Sequence, residues 1–252
     1  MKRDELVAWL DDTLAAHDVR DYGPNGLQVE GREEVRKVAT GVTACLALLE
    51  RAAAWGADAV VVHHGLFWKG AGEVRVERSL RRRLSLLLRE EISLLAYHLP
   101  LDRHPAVGNN AVLARELGIE DLAPAFPLEG IPVGLAGRFP RALPVEAVVR
   151  RVAEVTGREP LLVAGGPDLV RTVGLVSGDA PGSLADAARM GLDLFITGEP
   201  SEPAVHLARE EGIHLLAAGH HATERFGVRA LGELLAREHG LEVRFFDVPN
   251  PV

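Results

Sequence analysis

Ala57-Asp58-Ala59-Val60-Val61-Val62-His63-His64-Gly65-Leu66-Phe67-Trp68 is the stretch of sequence that most restricts the fold of this chain. Its Val-rich apolar run between Gly56 and Gly65 is typical of a parallel strand with both faces buried. Open α/β sheets bind their ligands at the carboxyl ends of such strands, and His63 and His64 lie at this end. The segment therefore predicts an α/β fold with two imidazoles at a candidate site.

The two adjacent histidines leave three interpretations open. Successive side chains of a strand point in opposite directions, so one ion cannot easily bind both rings of a regular strand. Either the strand breaks between His63 and His64, or each ring binds a different ion, or one ring is structural and the other is on the surface. Because neutral imidazole is the commonest metal ligand in proteins, we consider a metal site alongside the structural interpretation.

Composition excludes several classes of protein. The chain has 252 residues, 47% of them hydrophobic, which is enough for one large domain or two compact lobes. A net charge of −8 argues against a broad nucleic-acid-binding face, although a local basic patch is compatible with it. Cys45 is the only cysteine, which excludes an internal disulfide, a cysteine-based zinc site and an iron–sulfur cluster. Neither a membrane span nor a signal peptide is evident, so we expect a cytoplasmic protein.

Strand and helix patterns alternate on both sides of the opening segment. A strand, a helix and a second strand within residues 38–62 predict a βαβ unit. Between residues 119 and 136, Pro and Gly become frequent and apolar periodicity is lost, which predicts a hinge between lobes. We therefore place an N-terminal α/β lobe at residues 1–125 and a C-terminal α/β lobe at residues 126–252, with mostly parallel sheets.

The second half of the sequence repeats features of the first. Shifts of 135 and of 122 positions each bring identical or chemically similar residues together without a gap. The first shift pairs Val38 with Val173, Gly56 with Gly191 and Asp58 with Asp193, and the second pairs His98 with His220 and Asp102 with Glu224. Shared fold constraints can produce scattered identities, but here polar residues recur as well. Both shifts therefore favour two similarly folded lobes.

The polar pairs of this repeat form a metal-binding pattern. His98-x-x-x-Asp102 follows one buried strand, and His220-x-x-x-Glu224 follows its counterpart. If each segment is helical, its imidazole and carboxylate lie one turn apart on the same face. Nitrogen and oxygen ligands of this kind suit Zn, Mn or Fe. Together with the two adjacent histidines they exceed the needs of one tetrahedral ion, which favours two ions bridged by a carboxylate.

Several motifs, taken together, resemble one known family over essentially the whole chain. They are His-His-Gly-Leu-Phe-Trp at 63–68, Tyr-His-Leu-Pro-Leu-Asp at 97–102, Gly-His-His-Ala-Thr-Glu-Arg-Phe-Gly at 219–227, Asp-Val-Pro-Asn-Pro-Val at 247–252 and Asn-Gly-Leu-Gln-Val at 25–29. The family is the NGG-interacting-factor-three-like family, also labelled GTP cyclohydrolase 1 type 2 homologues. The resemblance implies a dinuclear divalent metal centre between two interlinked α/β lobes and a toroidal homohexamer. The large insert of longer members is missing, so its role does not extend to this chain.

Carried over to the matching positions, the resemblance also implies roles for individual residues. The implied metal ligands are His63, His64, Asp102, His220 and Glu224. Glu224 is the implied bridge between the ions. His98 is either a further ligand or a residue behind the ligands, and His221 either contacts substrate or orients its neighbour.

Hydrolysis is the expected reaction class, because two ions with an open coordination position acidify bound water. The family label implies that water attacks C8 of a guanine nucleotide and opens its imidazole ring. In this scheme Glu224 holds and deprotonates the water, and His98 or His221 carries the proton. Arg225 and the arginines at residues 81–83 are candidates for binding the triphosphate, although a solvated helix face also explains the arginine run. The sequence has no Walker-type phosphate loop.

Two further functions fit the same residues. The ions could clamp a phosphoryl group, as in a phosphoesterase that acts on nucleotides or oligonucleotides. A metal-loaded ring could also be a non-enzymatic chaperone, metal store or regulatory scaffold, because fold and site do not dictate the substrate. The products formed from GTP distinguish these functions, since the scaffold predicts that none are formed.

Overall fold

The chain divides into two compact units in the computed structural model, which describes residues 1–70 and 72–252. The first unit comprises Met1–Leu101 and Gly227–Val248, and the second comprises Asp102–Phe226 and Pro249–Val252. The chain thus leaves the first unit, forms most of the second and then returns. The division of the sequence into residues 1–125 and 126–252 was based on the internal repeat, and it stays a prediction.

The first unit is built on a five-stranded sheet with the spatial order β1-β4-β3-β2-β11. Its strands are β1 (Gly26–Val29), β2 (Lys37–Thr43), β3 (Ala59–His64), β4 (Ser93–Ala96) and β11 (Glu242–Phe245). β11, β2, β3 and β4 run parallel, and β1 is antiparallel to β4. The helices that lie within this unit, or begin or end in it, are α1 (Arg3–Leu14), α2 (Leu46–Trp55), α3 (Arg78–Arg89), α4 (Leu99–Arg103) and α9 (His220–His239). β3 is buried on both faces, as its sequence predicts.

The second unit is built on a six-stranded sheet with the order β5-β6-β8-β9-β10-β7. Its strands are β5 (Glu120–Leu128), β6 (Ile131–Pro144), β7 (Leu161–Val163), β8 (Leu169–Leu175), β9 (Leu194–Thr197) and β10 (His214–Ala217). The central strands β8, β9 and β10 run parallel, and antiparallel strands flank them. Its helices are α5 (Asn109–Glu116), α6 (Val145–Thr156), α7 (Leu184–Arg189) and α8 (Glu202–Glu210). The predicted α/β fold with two similar lobes is confirmed.

Equivalent hydrogen bonds at the first shift show that the repeat is structural. One carboxylate oxygen of Asp58 accepts the backbone N–H of Lys37 and of the residue before it, both at 2.9 Å. At a shift of 135 positions, one oxygen of Asp193 accepts the N–H of Thr172 and of the residue before it, both at 2.8 Å. An equivalent carboxylate therefore holds the start of β2 in one unit and the middle of β8 in the other.

The second shift also has a structural explanation. The N–H of Ser93, which begins β4, bonds to the carbonyl of Asp58, and the N–H of His214, which begins β10, bonds likewise to Asp193, both at 3.0 Å. These strands correspond at a shift of 121, so the shift of 122 in the following helices requires one extra residue. Gly219 lies in the connection from β10 to α9 and has a φ of 97°, a conformation that favours glycine.

The segment predicted to be a hinge is a β-hairpin, so that prediction is wrong. β5 and β6 pair antiparallel, with Leu128 opposite Ile131. Between them Glu129 and Gly130 have φ values of 49° and 84°, the positive values that a type I′ turn requires. The prolines of this segment misled the prediction because β5 is the edge strand of its sheet, where proline is tolerated.

No helix among residues 1–70 and 72–252 has the length and apolar character needed to cross a membrane.

Candidate metal centre

Three histidines of the first unit lie close together where β3 and β4 end. His63 and His64 are the last residues of β3, and His98 follows β4. One ring nitrogen of each lies within 4.8 Å of the others. The ring centroids of His63 and His64 are 4.6 Å apart, and those of His63 and His98 are 4.9 Å apart. This cluster could hold a metal ion.

The strand does not break between the two adjacent histidines, which excludes the first of the three interpretations. His63 is fully buried and His64 is half-buried, yet their rings remain close. Both residues lie beyond Val62, the last residue of β3 that pairs with β4. Hydrogen bonds to β4 therefore do not fix the pleat of β3 at His63 and His64. The rule that successive side chains point in opposite directions is too strict for these two residues.

An oxygen atom lies beside Nδ1 in each of the three rings. The pairs are His63 with the carbonyl oxygen of Tyr97 at 3.0 Å, His64 with Oγ1 of Thr43 at 3.2 Å and His98 with Oδ1 of Asp21 at 2.7 Å. When Nδ1 carries the proton and donates it to this oxygen, Nε2 carries the lone pair. Histidines that bind metals are usually oriented in this way by a carboxylate or carbonyl behind them.

Asp21 and Asn25 hold His98 in place from the loop before β1. Besides the imidazole, the buried carboxylate of Asp21 accepts the side-chain amide of Asn25 and the backbone N–H of Leu99, both at 2.9 Å. Asn25 in turn accepts the backbone N–H of His98 at 2.9 Å. Burial alone would raise the pKa of Asp21, but the hydrogen bond and charge of His98, followed by the other donors, hold that pKa below its ordinary value.

Trp68 packs edge-on against two of the histidines. Its ring centroid is 5.7 Å from that of His64 and 5.1 Å from that of His98. An indole at this position supplies apolar surface beside the ring nitrogens. Electrostatic interactions of those nitrogens are stronger beside such a surface than in water.

The second unit carries the predicted imidazole–carboxylate pair on the first turns of α9. His220 Nε2 lies 3.1 Å from Glu224 Oε2, so the two side chains share one face of the helix as predicted. His220 Nδ1 lies 2.5 Å from Oε1 of Glu199, which follows β9. Burial lowers the pKa of His220, but Glu224 and then Glu199 outweigh burial and raise the pKa to about 9.

Asp102 is held by polar side chains of the second unit. Its Oδ1 accepts the side-chain amide of Asn109 at 2.9 Å and the hydroxyl of Ser177 at 3.0 Å. The backbone N–H of Ser177 bonds to Oδ1 of Asn110 at 2.7 Å. These donors favour the ionised carboxylate, the form that binds cations.

Because Gly178 has no side chain, the carboxylate of Glu224 can lie directly beside its backbone. A Cβ at this position would lie 2.3 Å from Glu224 Oε1 and 3.3 Å from His220 Nε2. The φ of Gly178 is also 71°, a conformation that residues with side chains rarely adopt. The donor groups thus need a glycine here for two independent reasons.

Sequence reasoning did not identify several residues that support these donors, among them Asp21, Ser177, Gly178 and Glu199. Two of them could have been found from the repeat, because the shift of 135 pairs His64 with Glu199 and Thr43 with Gly178. At this aligned position, the last residue of β3 (His64) and the second residue after β9 (Glu199) therefore each lie beside a histidine of the candidate site in their own unit. Asp21 and Ser177 had no such signal.

The remaining predicted residues are His221, Arg225 and the arginines of α3. His221 is buried, and its backbone N–H bonds to the carbonyl of Val252 at 3.0 Å. Arg225 donates through Nη2 to the carbonyl of Thr156 at the end of α6, at 2.6 Å, so this part of its guanidinium supports the fold. In the arginine run of α3, Arg81 and Arg82 are exposed. The assignment of metal ligands and of catalytic His98, His221 and Glu224 stays a prediction.

The donors of each unit fit a divalent ion by their chemistry. They are imidazole nitrogens and carboxylate oxygens, which Zn, Mn and Fe accept. Each imidazole is oriented from behind by an oxygen atom, and Gly178 keeps space beside the carboxylate of Glu224.

Comparisons with known proteins agree over the full length. The family model described as Duf34/NIF3 (NGG1p interacting factor 3) matches residues 1–251. Relatives named GTP cyclohydrolase 1 type 2 homolog include one from Pseudomonas aeruginosa, 49% identical over 98% of this chain and 97% of its own length. Another, from Escherichia coli K12, is 47% identical over the whole of both chains.

Solved structures show the same fold. A protein described as ybgI, of unknown function, is 46% identical and has a TM-score of 0.95 over the whole of both chains. TTHA1606 from Thermus thermophilus is 43% identical, with a TM-score of 0.91 over the same extent. Reduced HcgD from Methanocaldococcus jannaschii, at 23% identity and a TM-score of 0.86 over 98% of both chains, shares the fold.

Proposed function

The chain belongs to the Duf34/NIF3 family, and we propose that it is a dinuclear metal-dependent hydrolase that opens the imidazole ring of a purine nucleotide. The ions are Zn, Fe or Mn, and their ligands are His63, His64, Asp102, His220 and Glu224. Glu224 would be the ligand that the two ions share.

The observation that best supports a metal function is the shared orientation of the histidines. An oxygen atom lies beside Nδ1 in His63, His64, His98 and His220 alike. This is the usual arrangement behind metal-binding nitrogens. The choice of a purine nucleotide is supported by the name of the relatives, GTP cyclohydrolase 1 type 2 homolog.

The proposed reaction is a hydrolysis in which one water molecule is consumed. When bound, the ions acidify this water and offset negative charge that develops on the substrate. Glu224 accepts a proton from the water, whose oxygen bonds to C8 of the purine while the C8–N7 double bond becomes single and N7 takes up a proton. The bond between C8 and N9 then breaks, the hydroxyl on C8 loses its proton to become the formyl oxygen, the formyl group stays on N7, and N9 takes up a proton. His98, held by Asp21, or His221 delivers the proton to N9.

The test is to incubate metal-reloaded protein with GTP and to identify the product by mass spectrometry. We expect a product heavier than GTP by one water, and a loss of activity of at least about a hundredfold in Glu224→Gln. Glu238→Gln, an exposed glutamate on the same helix, is the matched control and should keep full activity. Formation of GDP and free phosphate would instead support the phosphoesterase.

A non-enzymatic metal scaffold is the second candidate, and one observation favours it. Arg225 is engaged by Thr156, and the arginines at 81 and 82 lie on an exposed helix face, which leaves the triphosphate without an assigned partner. If metal-replete protein forms no product from GTP, and Glu224→Gln changes only the metal content, the scaffold replaces the hydrolase.

We further propose that the chain forms a toroidal homohexamer, as the resemblance implies. Its mass in sedimentation equilibrium should be about six times the 27.1 kDa of the chain. A monomer or dimer at micromolar concentration would contradict the hexamer without affecting the metal proposal.

A further inference from the structure

Two aromatic side chains of the first unit flank His98, and the proposed reaction assigns no role to either. The ring centroid of Tyr22 is 6.1 Å from that of His98, and the ring centroid of Trp68 is 5.1 Å from it. Tyr22 is 50% exposed and Trp68 is half-buried, so ligands can reach both rings. We call these two rings the aromatic wall. A ligand that lies on the wall therefore lies beside the three-histidine cluster.

The backbone of Tyr22 is held on both sides. Its N–H donates to Oδ1 of Asp21 at 2.6 Å, and its carbonyl accepts the N–H of Lys69 at 2.6 Å. The same Oδ1 atom of Asp21 lies 2.7 Å from Nδ1 of His98. One carboxylate oxygen thus ties the backbone of the exposed tyrosine to the neighbouring imidazole.

The two loops that carry the wall pack directly on each other. A Cβ at Gly23 would lie 2.6 Å from the carbonyl oxygen of Phe67 and 3.7 Å from Cε3 of Trp68. The Lys69 ammonium group donates to the carbonyl of Asp21 at 2.5 Å, which joins the loops a second time. Because these contacts already exist without a ligand, binding on the wall does not have to order two separate loops first.

We infer that the aromatic wall is the subsite for the purine base of the substrate, and that Tyr22 stacks on this base. The purine comes from the proposed function, on which the inference rests. Trp68 packs edge-on against two histidines, whereas Tyr22 has the larger exposed surface, so Tyr22 is the stacking residue. Aromatic side chains stack on any base, because every base has a π-face. A base held here lies beside His98, one of the two residues proposed to deliver the proton to N9.

Calorimetric titration of the metal-reloaded full chain with 7-deaza-GMP tests the inference. This analogue keeps the planar base, but carbon replaces N7, so the proposed ring opening does not consume it. Ribose 5-phosphate, which lacks the base, is the matched probe. We expect 7-deaza-GMP to bind at least about tenfold more tightly than ribose 5-phosphate, because only the former stacks. Equal affinities, or no binding of 7-deaza-GMP at millimolar concentrations, would overturn the inference.

Variants of Tyr22 then assign the stacking to this ring. Tyr22→Ala should bind 7-deaza-GMP about tenfold more weakly with normal metal content, whereas Tyr22→Phe, which keeps a ring, should bind within about twofold of the unaltered chain. Ribose 5-phosphate should bind all three equally. Leu88→Ala, at a leucine of α3 that is 60% exposed, is the control and should change neither affinity. Unchanged affinity in Tyr22→Ala, an equal loss in Tyr22→Phe, or loss of metal from Tyr22→Ala refutes stacking on Tyr22.

Trp68 supplies an optical test of where the base binds. The chain has three tryptophans, and the other two pack elsewhere, Trp9 against His239 and Trp55 against Phe246. 7-Deaza-GMP should quench the tryptophan fluorescence, ribose 5-phosphate should not, and the quenching should be lost in Trp68→Phe. Quenching that survives in this variant would place the base beside another tryptophan and overturn the subsite.

The kinetics of GTP hydrolysis separate a failure of this inference from a failure of the hydrolase. If GTP is hydrolysed, Tyr22→Ala should raise KM about tenfold with kcat nearly unchanged, because stacking holds substrate and transition state alike. A normal KM in this variant would refute the subsite and leave the hydrolase intact. If GTP yields no product but 7-deaza-GMP binds through the Tyr22 ring, the hydrolase fails and the purine subsite stands.

Discussion

Glu199 touches Nδ1 of His220 and should control how well this histidine binds a metal. In Glu199→Gln the negative charge behind the imidazole is lost, so the ring is a weaker base and is less firmly oriented. We expect metal affinity to fall about 10- to 100-fold, as measured by competition with a chromophoric chelator.

The matched control for Glu199 is Glu202→Gln, at an exposed glutamate on α8 whose carboxylate lies 3.4 Å from His206. This variant should retain the affinity of the unaltered chain. Equal affinities of the two variants would mean that Glu199 does not support a metal-binding histidine.

A methyl group at Gly178 should disturb Glu224 directly. The Cβ of Gly178→Ala would lie 2.3 Å from Oε1 of Glu224, and the positive φ adds backbone strain of about 1 kcal/mol or more. We expect loss of bound metal together with lower stability. Gly182→Ala is the control, because a Cβ there has no atom within 4 Å, and its metal content, measured by elemental analysis, should be normal.

Spacing along one helix was predictable from the sequence, whereas partners from distant segments were not. His220 and Glu224 share a helix face because they are four positions apart, and this spacing can be read from the sequence. Asp21 reaches His98 from 77 positions away, and Ser177 reaches Asp102 from 75 positions away. Only the assembled fold brings such pairs together.

Among the elements, the two equivalent carboxylates that hold β2 and β8 offer a paired test. Asp58 and Asp193 each accept two backbone N–H groups, so Asp58→Ala and Asp193→Ala should each lower the free energy of unfolding by about 2–4 kcal/mol. Urea unfolding followed by circular dichroism measures the effect.

Asp186→Ala is the control for these two carboxylates, because Asp186 is partly exposed on α7 and pairs with the exposed Arg189. Its cost should stay below about 1 kcal/mol. If Asp58→Ala or Asp193→Ala costs no more than this control, the carboxylate at that position does not anchor its strand.

Strands with apolar runs and helices ended by glycine were predictable, because these signals are local. α2 ends at Gly56, whose φ is 78°, and β3 follows as predicted. The hairpin of β5 and β6 was not predictable in this way, since Pro124 and Pro127 are accepted in β5 because this strand lies at an edge of the sheet. Edge position is a property of the sheet and not of the segment.

For the whole molecule, metal binding should stabilise the fold. Ions that bind only the folded chain at about a hundred to a thousand times their Kd add roughly 3–4 kcal/mol, so removal with EDTA should lower Tm by about 5–15 °C. Differential scanning calorimetry measures the change. In His64→Ala the metal-dependent part of Tm should be lost, and a Tm that is the same with and without metal in the unaltered chain would contradict the metal function.

Fold class and family followed from the sequence, but the path of the chain did not. The motifs that resemble the family extend over the whole sequence, and the match to residues 1–251 agrees with them. The return of Gly227–Val248 to the first unit had no local signal, because β11 is a short strand whose partner lies far away.

That return constrains how the protein can be made on a ribosome. β2 emerges early, but β11, which pairs with it, lies about 200 residues later, and the Arg51–Asp247 hydrogen bond joins positions 196 apart. During translation one edge of β2 therefore stays uncovered while the entire second unit is synthesised, and an uncovered parallel edge can recruit other nascent chains. Production in cells should accordingly depend on holding chaperones and on translation speed more strongly than the stability of the finished protein suggests.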